Sequence, residues 1–270
     1  MPAGFFSLSI SLLRYSVLGM LYAGSLAHAQ VPIPAPPPTA VPVASAPVII
    51  DSVPSFERPN GALLRAGTLT YQLSLHRPSG EIIPLGVRSV SVSDASIGGA
   101  PGWLIAESRT GTAVATTDSV YLARSDLSPE RWSATIGASQ FGAAFTRDSV
   151  FGAVQTYQGR ASFTLALPRD ALLSAGMIER LVELLPLRVG YRAAATLLLV
   201  EGSSPRPQRA VLSVDREERI DVGGRSVDCW LVALRAGAIE ERLWVAKDDA
   251  RVVRTEQSLV DGLLLAVLQP

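Results

Sequence analysis

The sequence predicts a mainly β protein in which a large curved antiparallel sheet, or an unclosed half-barrel, wraps around one main α-helix. From Leu63 onward, short runs of β-branched and other apolar residues alternate with turn signals, a pattern typical of antiparallel strands. One segment, residues 170–185, instead repeats its apolar residues with the period of a helix. We therefore expect residues 60–270 to form a single β-rich domain that has one helix near residues 170–185.

The N-terminal residues are expected to direct export. Residues 1–29 are apolar, carry the single charge of Arg14, and end in Ala27-His28-Ala29, a small-x-small cleavage site. We expect this signal peptide to be removed and the protein to lie in the periplasm of a Gram-negative-type bacterium. The alternative is an uncleaved membrane anchor, because residues 5–26 are nearly long enough to span a bilayer. Residues 30–59 follow as a Pro/Ala-rich disordered linker, a composition that favours extended polyproline II.

The balance of basic and acidic residues limits the kinds of partner that we expect the protein to bind. The chain of 270 residues has 24 basic and 24 acidic residues and therefore no net charge. Nucleic-acid binding or a polybasic site for lipid headgroups would need a basic face. The partners that we expect are a lipid or other apolar ligand and a protein of the cell envelope. Contact with the membrane itself is expected only if the N-terminus stays uncleaved.

Strand-like runs precede the predicted helix, and turn signals separate them. Residues 77–80 and 126–129 are examples of such turns. Asp94 to Gly102 is rich in glycine and is expected to be a loose loop. Within the runs, apolar and polar residues alternate, as in a strand with one buried face. The runs are, in order, LRAGTLTYQLSLH, IIPLGVRSVSVS, GWLIAESRT, AVATTDSVYLAR, RWSATIG, FGAAFTRD, VFGAVQTYQ and ASFTLALP.

The helix is predicted from DALLSAGMIERLVELL, residues 170–185. Its apolar residues fall on one wide stripe, and Asp170 and Pro186 are suited to begin and to end it. The polar face is thin. A stripe of this width is typical of a core helix, so we expect it to lie against the concave face of the sheet. The stripe comprises Leu173, Met177, Ile178, Leu181, Val182, Leu184 and Leu185.

Strands resume after the helix and end in a three-strand meander. Gly223-Gly224 is expected to form a tight hairpin turn, and Ala236-Gly237 and Lys247-Asp248-Asp249 the next two. In SVDCWLVALR, residues 226–235, both sets of alternating side chains are apolar. We therefore expect this strand to be central, either covered on both faces or facing a ligand cavity.

Residues that carry enzymatic chemistry are scarce. Once the signal peptide is removed, His76 is the one histidine and Cys229 the one cysteine, so a zinc site lacks ligands and a catalytic triad would have to use His76. Glu217 and Glu218 are adjacent on a strand and point to opposite faces, which does not make an acid/base pair. We expect no catalytic residue, no metal, no cofactor and no enzymatic activity.

Several features of the C-terminal half resemble an uncharacterised family of bacterial envelope proteins, domain of unknown function 3108. Members of that family show a glutamate before a V-x-V stretch, a glycine turn, a Cys-Trp or similar pair, and a Trp-Val strand. The matching positions here are Glu218, Ile220 to Val222, Gly223-Gly224, Cys229-Trp230 and Trp244-Val245. Upstream, TTDSVYLARSDLSPERW is similar to the family's strand-turn-strand with proline in the turn.

The resemblance implies a fold rather than an activity. The family has no established activity, and its members look related to the lipoprotein-localisation carriers, whose unclosed antiparallel barrel, with helices across its mouth, holds acyl chains. By this analogy the chain would be an exported envelope module that holds an acyl chain or another apolar ligand without catalysis.

The expected ligand site is built from apolar residues of the helix and of the C-terminal meander. Its candidate lining residues are Trp230, Val232, Trp244, Met177 and Leu181. Glu218 is the polar candidate, although an ion pair with Arg216 or Arg219 is an alternative role for it. Two other functions stay open: a structural or protein-docking domain whose core is filled by its own side chains, and a hydrolase that uses converging carboxylates.

Overall fold

A computed structural model describes residues 53–111, 115–167, 171–173, 175–201 and 204–270. The predicted signal peptide, nearly all of the predicted linker and Asp170 lie outside these residues. No helix of the described ranges is long and apolar enough to cross a membrane.

Strands account for most of the described chain. They are β1 (Gly67–His76), β2 (Ile82–Ile97), β3 (Ala100–Gly111), β4 (Thr116–Ala123), β5 (Pro129–Ile136), β6 (Ser139–Phe145), β7 (Ser149–Thr156), β8 (Gly159–Ala166), β9 (Ala171–Leu172), β10 (Arg192–Glu201), β11 (Ser204–Val222), β12 (Arg225–Ala236), β13 (Ile239–Ala246), β14 (Val252–Leu259) and β15 (Gly262–Leu268). A 3-10 turn covers Gly61–Leu63, and one α-helix, α1, covers Ala175–Val182.

The strands form one unclosed sheet, which confirms the predicted fold class. Its order is β8-β7-β6-β5-β4-β3-β2-β1-β15-β14-β13-β12-β11-β10-β9. Two antiparallel meanders, β1 to β8 and β10 to β15, therefore meet where β1 pairs with β15. β9 pairs with β10 in parallel. Cα atoms of β8 and β11 approach within 8 Å without strand pairing, so the sheet curls almost into a barrel.

Turn chemistry follows the sequence closely. Gly223 and Gly224 connect β11 and β12 with φ angles of 59° and 79°, as the predicted tight hairpin requires. The predicted loose loop of residues 94–102 is instead a hairpin. β2 continues to Ile97, β3 starts at Ala100, and Gly98 and Gly99 both take positive φ between them. Two adjacent glycines favoured a tight turn over a loop.

The helix is shorter than the sequence predicts. α1 begins at Ala175 rather than near residue 170, because Ala171 and Leu172 pair with β10 as the short strand β9. Beyond Val182 the backbone tightens, since the N–H of Leu185 donates to the carbonyl of Val182. The predicted stop at Pro186 follows this turn.

Residues 176–182 of α1 are all buried, including the polar ones, which the sequence does not predict. Met177 and Leu181 lie in the main core, the apolar cluster between α1 and the concave face of the sheet. The charged residues of the expected polar face are buried as well: Glu179 has no exposed surface, and Arg180 is almost as enclosed. Charge on this helix is therefore directed into the protein rather than toward solvent.

A segment that we call the N-terminal strap, residues 53–64, precedes β1 and starts before residue 60. Ser55 bridges Ala194 of β10, and the N–H of Phe56 donates to the Ala194 carbonyl at 2.7 Å. Farther along, the indole N–H of Trp103 donates to the Gly61 carbonyl at 3.0 Å. The strap thus connects β10, near one edge of the sheet, with β3 of the other meander.

The β12 strand is covered on both faces, as its composition predicts. Val232 and Leu234 face the main core. The alternate side chains belong to a second apolar cluster, the outer cluster, on the opposite face of the sheet. Its members are Ile220, Cys229, Leu231, Trp244, Ala246 and Val253. Val222 and Val227, near the tip of the β11–β12 hairpin, pack against this cluster together with Leu268.

We predict that Met177→Ala lowers the free energy of unfolding by about 2–5 kcal/mol, because it leaves a cavity between α1 and the sheet. Leu63→Ala is the control, since the Leu63 side chain is 56% exposed, and the expected change there is within about 0.5 kcal/mol. Urea unfolding followed by circular dichroism measures both. Similar losses in the two variants would contradict the placement of α1.

Candidate functional site

The five residues predicted to line a ligand site are not brought together. Met177, Leu181 and Val232 are fully buried in the main core, and Trp230, which is half-buried, packs against it. Trp244 lies in the outer cluster, on the other face of the sheet. The alternation along β13 explains the separation, since Leu243 and Val245, its neighbours, face the main core. A role in ligand binding stays a prediction for each residue.

Each of the two tryptophans carries a cation over its ring. The Lys247 ammonium lies 4.1 Å from the centroid of Trp230, and the Arg254 guanidinium lies 4.7 Å from that of Trp244. A cation in this position is attracted to the electron-rich face of the ring. These two rings are therefore engaged by the protein's own side chains.

Glu218, the polar candidate, takes part in a surface ion pair. Its carboxylate is 2.8 Å from Arg216 on the same strand, and Arg219 instead pairs with Asp228 across the hairpin at 2.7 Å. Glu218 therefore makes the ion pair that was its alternative role, and its partner is Arg216. Nothing in this arrangement directs Glu218 toward a cavity.

A groove of about 610 Å³ opens at one end of the sheet. The β4–β5 turn, the β6–β7 turn and the end of β8 meet there, and the strap and the start of β9 form the opposite wall. Apolar side chains form its floor: Phe56, Leu167 and Ala171 are buried, and Phe145 is half-buried. Its volume lies in the range of small-ligand sites.

Charged side chains of both signs surround this groove. Arg58 of the strap donates to the Leu127 carbonyl at 2.7 Å and also to the Ala171 carbonyl, which holds the strap against the turn and β9. Asp126 accepts from the N–H and the hydroxyl of Ser128, which fixes the turn. Glu130 and Arg147 are exposed at the rim. An apolar floor beneath a charged rim suits an amphiphilic ligand.

A second hollow, of about 780 Å³, lies along β6, β7 and β8. Small residues such as Gly142, Ala153 and Ser162 line it, with Phe151, which is 47% exposed. It offers fewer charged groups than the groove, because Arg160 is the one charged residue among its lining side chains.

A buried ionic cluster on the concave face is centred on Arg88 of β2. Its guanidinium donates to Glu179 of α1 at 2.7 Å and to Glu107 of β3 at 2.9 Å. Arg109 of β3 also pairs with Glu107 at 2.8 Å. The side chains of Arg88, Glu107 and Glu179 are each at most 5% exposed. The cluster joins two strands to the helix through charge-assisted hydrogen bonds.

The C-terminal end of α1 is held by a second set of polar contacts. Arg180 donates to the hydroxyl of Tyr71 at 3.1 Å and pairs with Glu183 at 2.8 Å. The Tyr71 hydroxyl donates to the Val252 carbonyl at 2.9 Å, and the Val252 N–H donates to Glu183 at 2.8 Å. β1, α1 and β14 are thereby linked in one network.

Burial and charge shift the acidities of these groups in opposite directions. Although burial acts to raise the pKa of Glu107, Arg88 and Arg109 together hold it far below its ordinary value. Burial raises the pKa of Glu183 to about 7, and Arg180 and the Val252 N–H oppose the shift only in part. Burial also raises the pKa of the Tyr71 hydroxyl, so it stays a hydrogen-bond donor.

The cysteine and the histidine that the sequence singled out lie in different surroundings. Burial raises the pKa of the Cys229 thiol to about 11, which keeps it protonated. His76 lies 3.0 Å from the hydroxyl of Ser74 at a strand end. The described residues contain no group of three or more His, Cys, Asp and Glu side chains that could hold a metal ion.

Sequence reasoning missed the ionic cluster, although a signal for it is present. In β2, Arg88 has the same parity as the buried Val90 and Val92, and in β3, Glu107 has that of Trp103 and Ile105. Alternation therefore places both charges on the concave face. Opposite charges at inward positions of neighbouring strands would have predicted a buried pair.

No family model matches the chain, and no curated protein does. One solved structure is similar: the crystal structure of a β-barrel-like protein of domain of unknown function DUF1849 from Brucella abortus. It is 11% identical, with a TM-score of 0.50, over 81% of this chain and 98% of that one. The likeness shows an uncharacterised β-barrel-like fold. It does not extend to domain of unknown function 3108 in particular.

Glu179→Gln is predicted to lower the free energy of unfolding by about 3–5 kcal/mol, because Arg88 keeps its buried charge and loses a partner. Glu218→Gln is the matched control and should cost at most about 1 kcal/mol, since its ion pair lies at the surface. Guanidinium unfolding at pH 8 measures both. A small effect of Glu179→Gln would mean that the pair contributes little to holding α1.

The acidity of Glu183 predicts a pH dependence of stability. Between about pH 4.5 and 7 the folded state binds more protons at this carboxyl than the unfolded state, so the unfolding free energy should fall as pH rises through this window and level off above it. Glu183→Gln should remove this decline, whereas Glu218→Gln should keep it. Thermal unfolding at half-unit pH steps tests this, and an unchanged slope in Glu183→Gln would contradict it.

Proposed function

We propose that this protein is an exported binding module of the bacterial cell envelope that holds an acyl chain, or another apolar part of an envelope component, without catalysing a reaction. The observation that carries the proposal is the groove at the end of the sheet, whose floor is apolar and whose rim is charged. Export is supported by the signal-peptide pattern of residues 1–29.

The groove is the proposed ligand site, rather than the concave interior. α1 occupies the interior, where Met177 and Leu181 are fully buried in the main core. Phe145 of the groove floor is half-buried and so retains surface that an apolar ligand would cover. Burying that surface supplies the driving force for binding.

A role without catalysis is supported by the state of the buried carboxylates. Glu107 and Glu179 are both bound to Arg88. Arg88 and Arg109 hold the pKa of Glu107 far below its ordinary value, so Glu107 is an ionised acceptor rather than an acid that exchanges protons. The hydrolase hypothesis needs a carboxyl with a shifted pKa that faces a substrate pocket. Glu183 has the shifted pKa, but its contacts are Arg180 and the Val252 backbone.

The second candidate function is a structural or protein-docking domain with a filled core. The burial of residues 176–182 of α1 favours it, because the concave face is then covered by the chain itself. In this case an exposed face would bind an envelope protein.

Kinship with domain of unknown function 3108, and through it with the lipoprotein-localisation carriers, is part of the first proposal. It would favour a lipid as the ligand.

Native mass spectrometry of the mature protein purified from a Gram-negative periplasm tests the first candidate. We expect a stoichiometric apolar mass, identified after organic extraction. A clean apo mass, together with no binding of added fatty acids or phospholipids, would contradict the lipid proposal and favour the docking domain.

A pair of variants locates the site. Phe145→Arg places a charge in the floor of the groove and is expected to weaken the binding of a fluorescent fatty acid at least tenfold. Phe151→Arg, in the hollow along β6 to β8, is the control and is expected to bind like the wild type. If Phe151→Arg instead weakens fatty-acid binding and Phe145→Arg does not, the ligand site lies in that hollow.

A further inference from the structure

A small cavity lies beneath α1, deep in the concave face. Its volume is about 20 Å³, which is enough for a single water molecule. The walls come from α1 and from six strands of both meanders. The lining residues are Leu73, Arg88, Arg109, Glu179, Glu241, Thr255, Gln257, Leu264 and Ala266.

Three polar atoms of these lining residues have no hydrogen-bond partner within the described structure. They are Oε2 of Glu179, Nε of Arg88 and the side-chain nitrogen of Gln257. All three residues are more than nine-tenths buried. A buried polar atom that stays without a partner destabilises the folded state, and native proteins rarely tolerate several together.

We propose that this cavity binds one water molecule as an integral part of the fold. Two of the three atoms are donors and the third is an acceptor, which matches a water that accepts twice and donates at least once. The lining charges balance, because Arg88 and Arg109 are matched by Glu179 and Glu241. A cation would meet two donors and an anion would meet a carboxylate, which leaves a neutral ligand.

The water adds a link to β14 at a point where Arg88 and Glu179 already join β2 to α1 directly. Glu179 belongs to α1, Arg88 to β2 of the first meander and Gln257 to β14 of the second. A water bonded to all three supplies the contact between the helix carboxylate and β14. This inference is independent of the proposed lipid function, because the groove lies at the end of the sheet and shares no lining residue with the cavity.

Crystallography of the wild-type chain, at a resolution that shows ordered solvent, tests the site directly. We expect an isolated peak at about 2.7–3.2 Å from Oε2 of Glu179 and from the side-chain nitrogen of Gln257. Crystals soaked in rubidium or in bromide should show no anomalous signal at that position. An empty cavity, or a peak that gains anomalous signal in either soak, would overturn the proposal.

Gln257→Met provides a second test, because it keeps the approximate volume and removes the donor. We expect the melting temperature to fall by about 2–8 °C and the solvent peak to disappear. Gln140→Met, at an exposed position of β6, is the control and should change the melting temperature by less than about 1 °C. An unchanged melting temperature in Gln257→Met would count against the water. If that variant does not fold, the wild-type crystal remains decisive.

Discussion

The Arg88 guanidinium, sealed beneath α1 between Glu107 and Glu179, constrains where the helix can lie. A charge removed from water is tolerated only when its partners surround it, and loss of one partner is far more costly than loss of a surface pair. Glu107 is supplied by the adjacent strand and stays with Arg88 wherever the helix goes. Glu179 is supplied by α1, so the helix has one depth and one rotation at which both ends of the guanidinium are satisfied.

The position of α1 in turn determines its contacts with the core and with the second meander. With Glu179 directed at Arg88, the apolar side chains of the same two turns fill the space between the meanders, and Arg180 reaches Tyr71. Glu183 then meets the backbone of β14, which ties the end of α1 to the second meander. The concave face is thereby covered by the helix, whereas Phe145, in the groove at the end of the sheet, stays half-buried.

Much of this architecture could be predicted from local pattern. Alternation of apolar residues and the glycine turns predicted the strands. The helix ends at Val182, three residues before the end that Pro186 predicted. The predicted start of the helix was wrong because pairing of Ala171 and Leu172 with β10 is a long-range contact that helical periodicity does not report.

Trp230 and Trp244 were assigned to one ligand site because they are close in sequence, whereas the alternation of side chains along their strands places them on opposite faces of the sheet. Arg88 was overlooked because an arginine in a strand is ordinarily read as a solvent-facing residue, and its inward position becomes evident from the parity of its neighbours.

The pairing of β1 with β15 has a consequence for how the chain is made. Tyr71 lies opposite Leu268, so β1, the first strand of the described chain, receives this neighbour only after all the strands between them have been made. Until then, β1 presents an unpaired backbone edge, and contacts of such long range are slow to form. A nascent chain of this design cannot cover that edge of β1 before β15 has been synthesised.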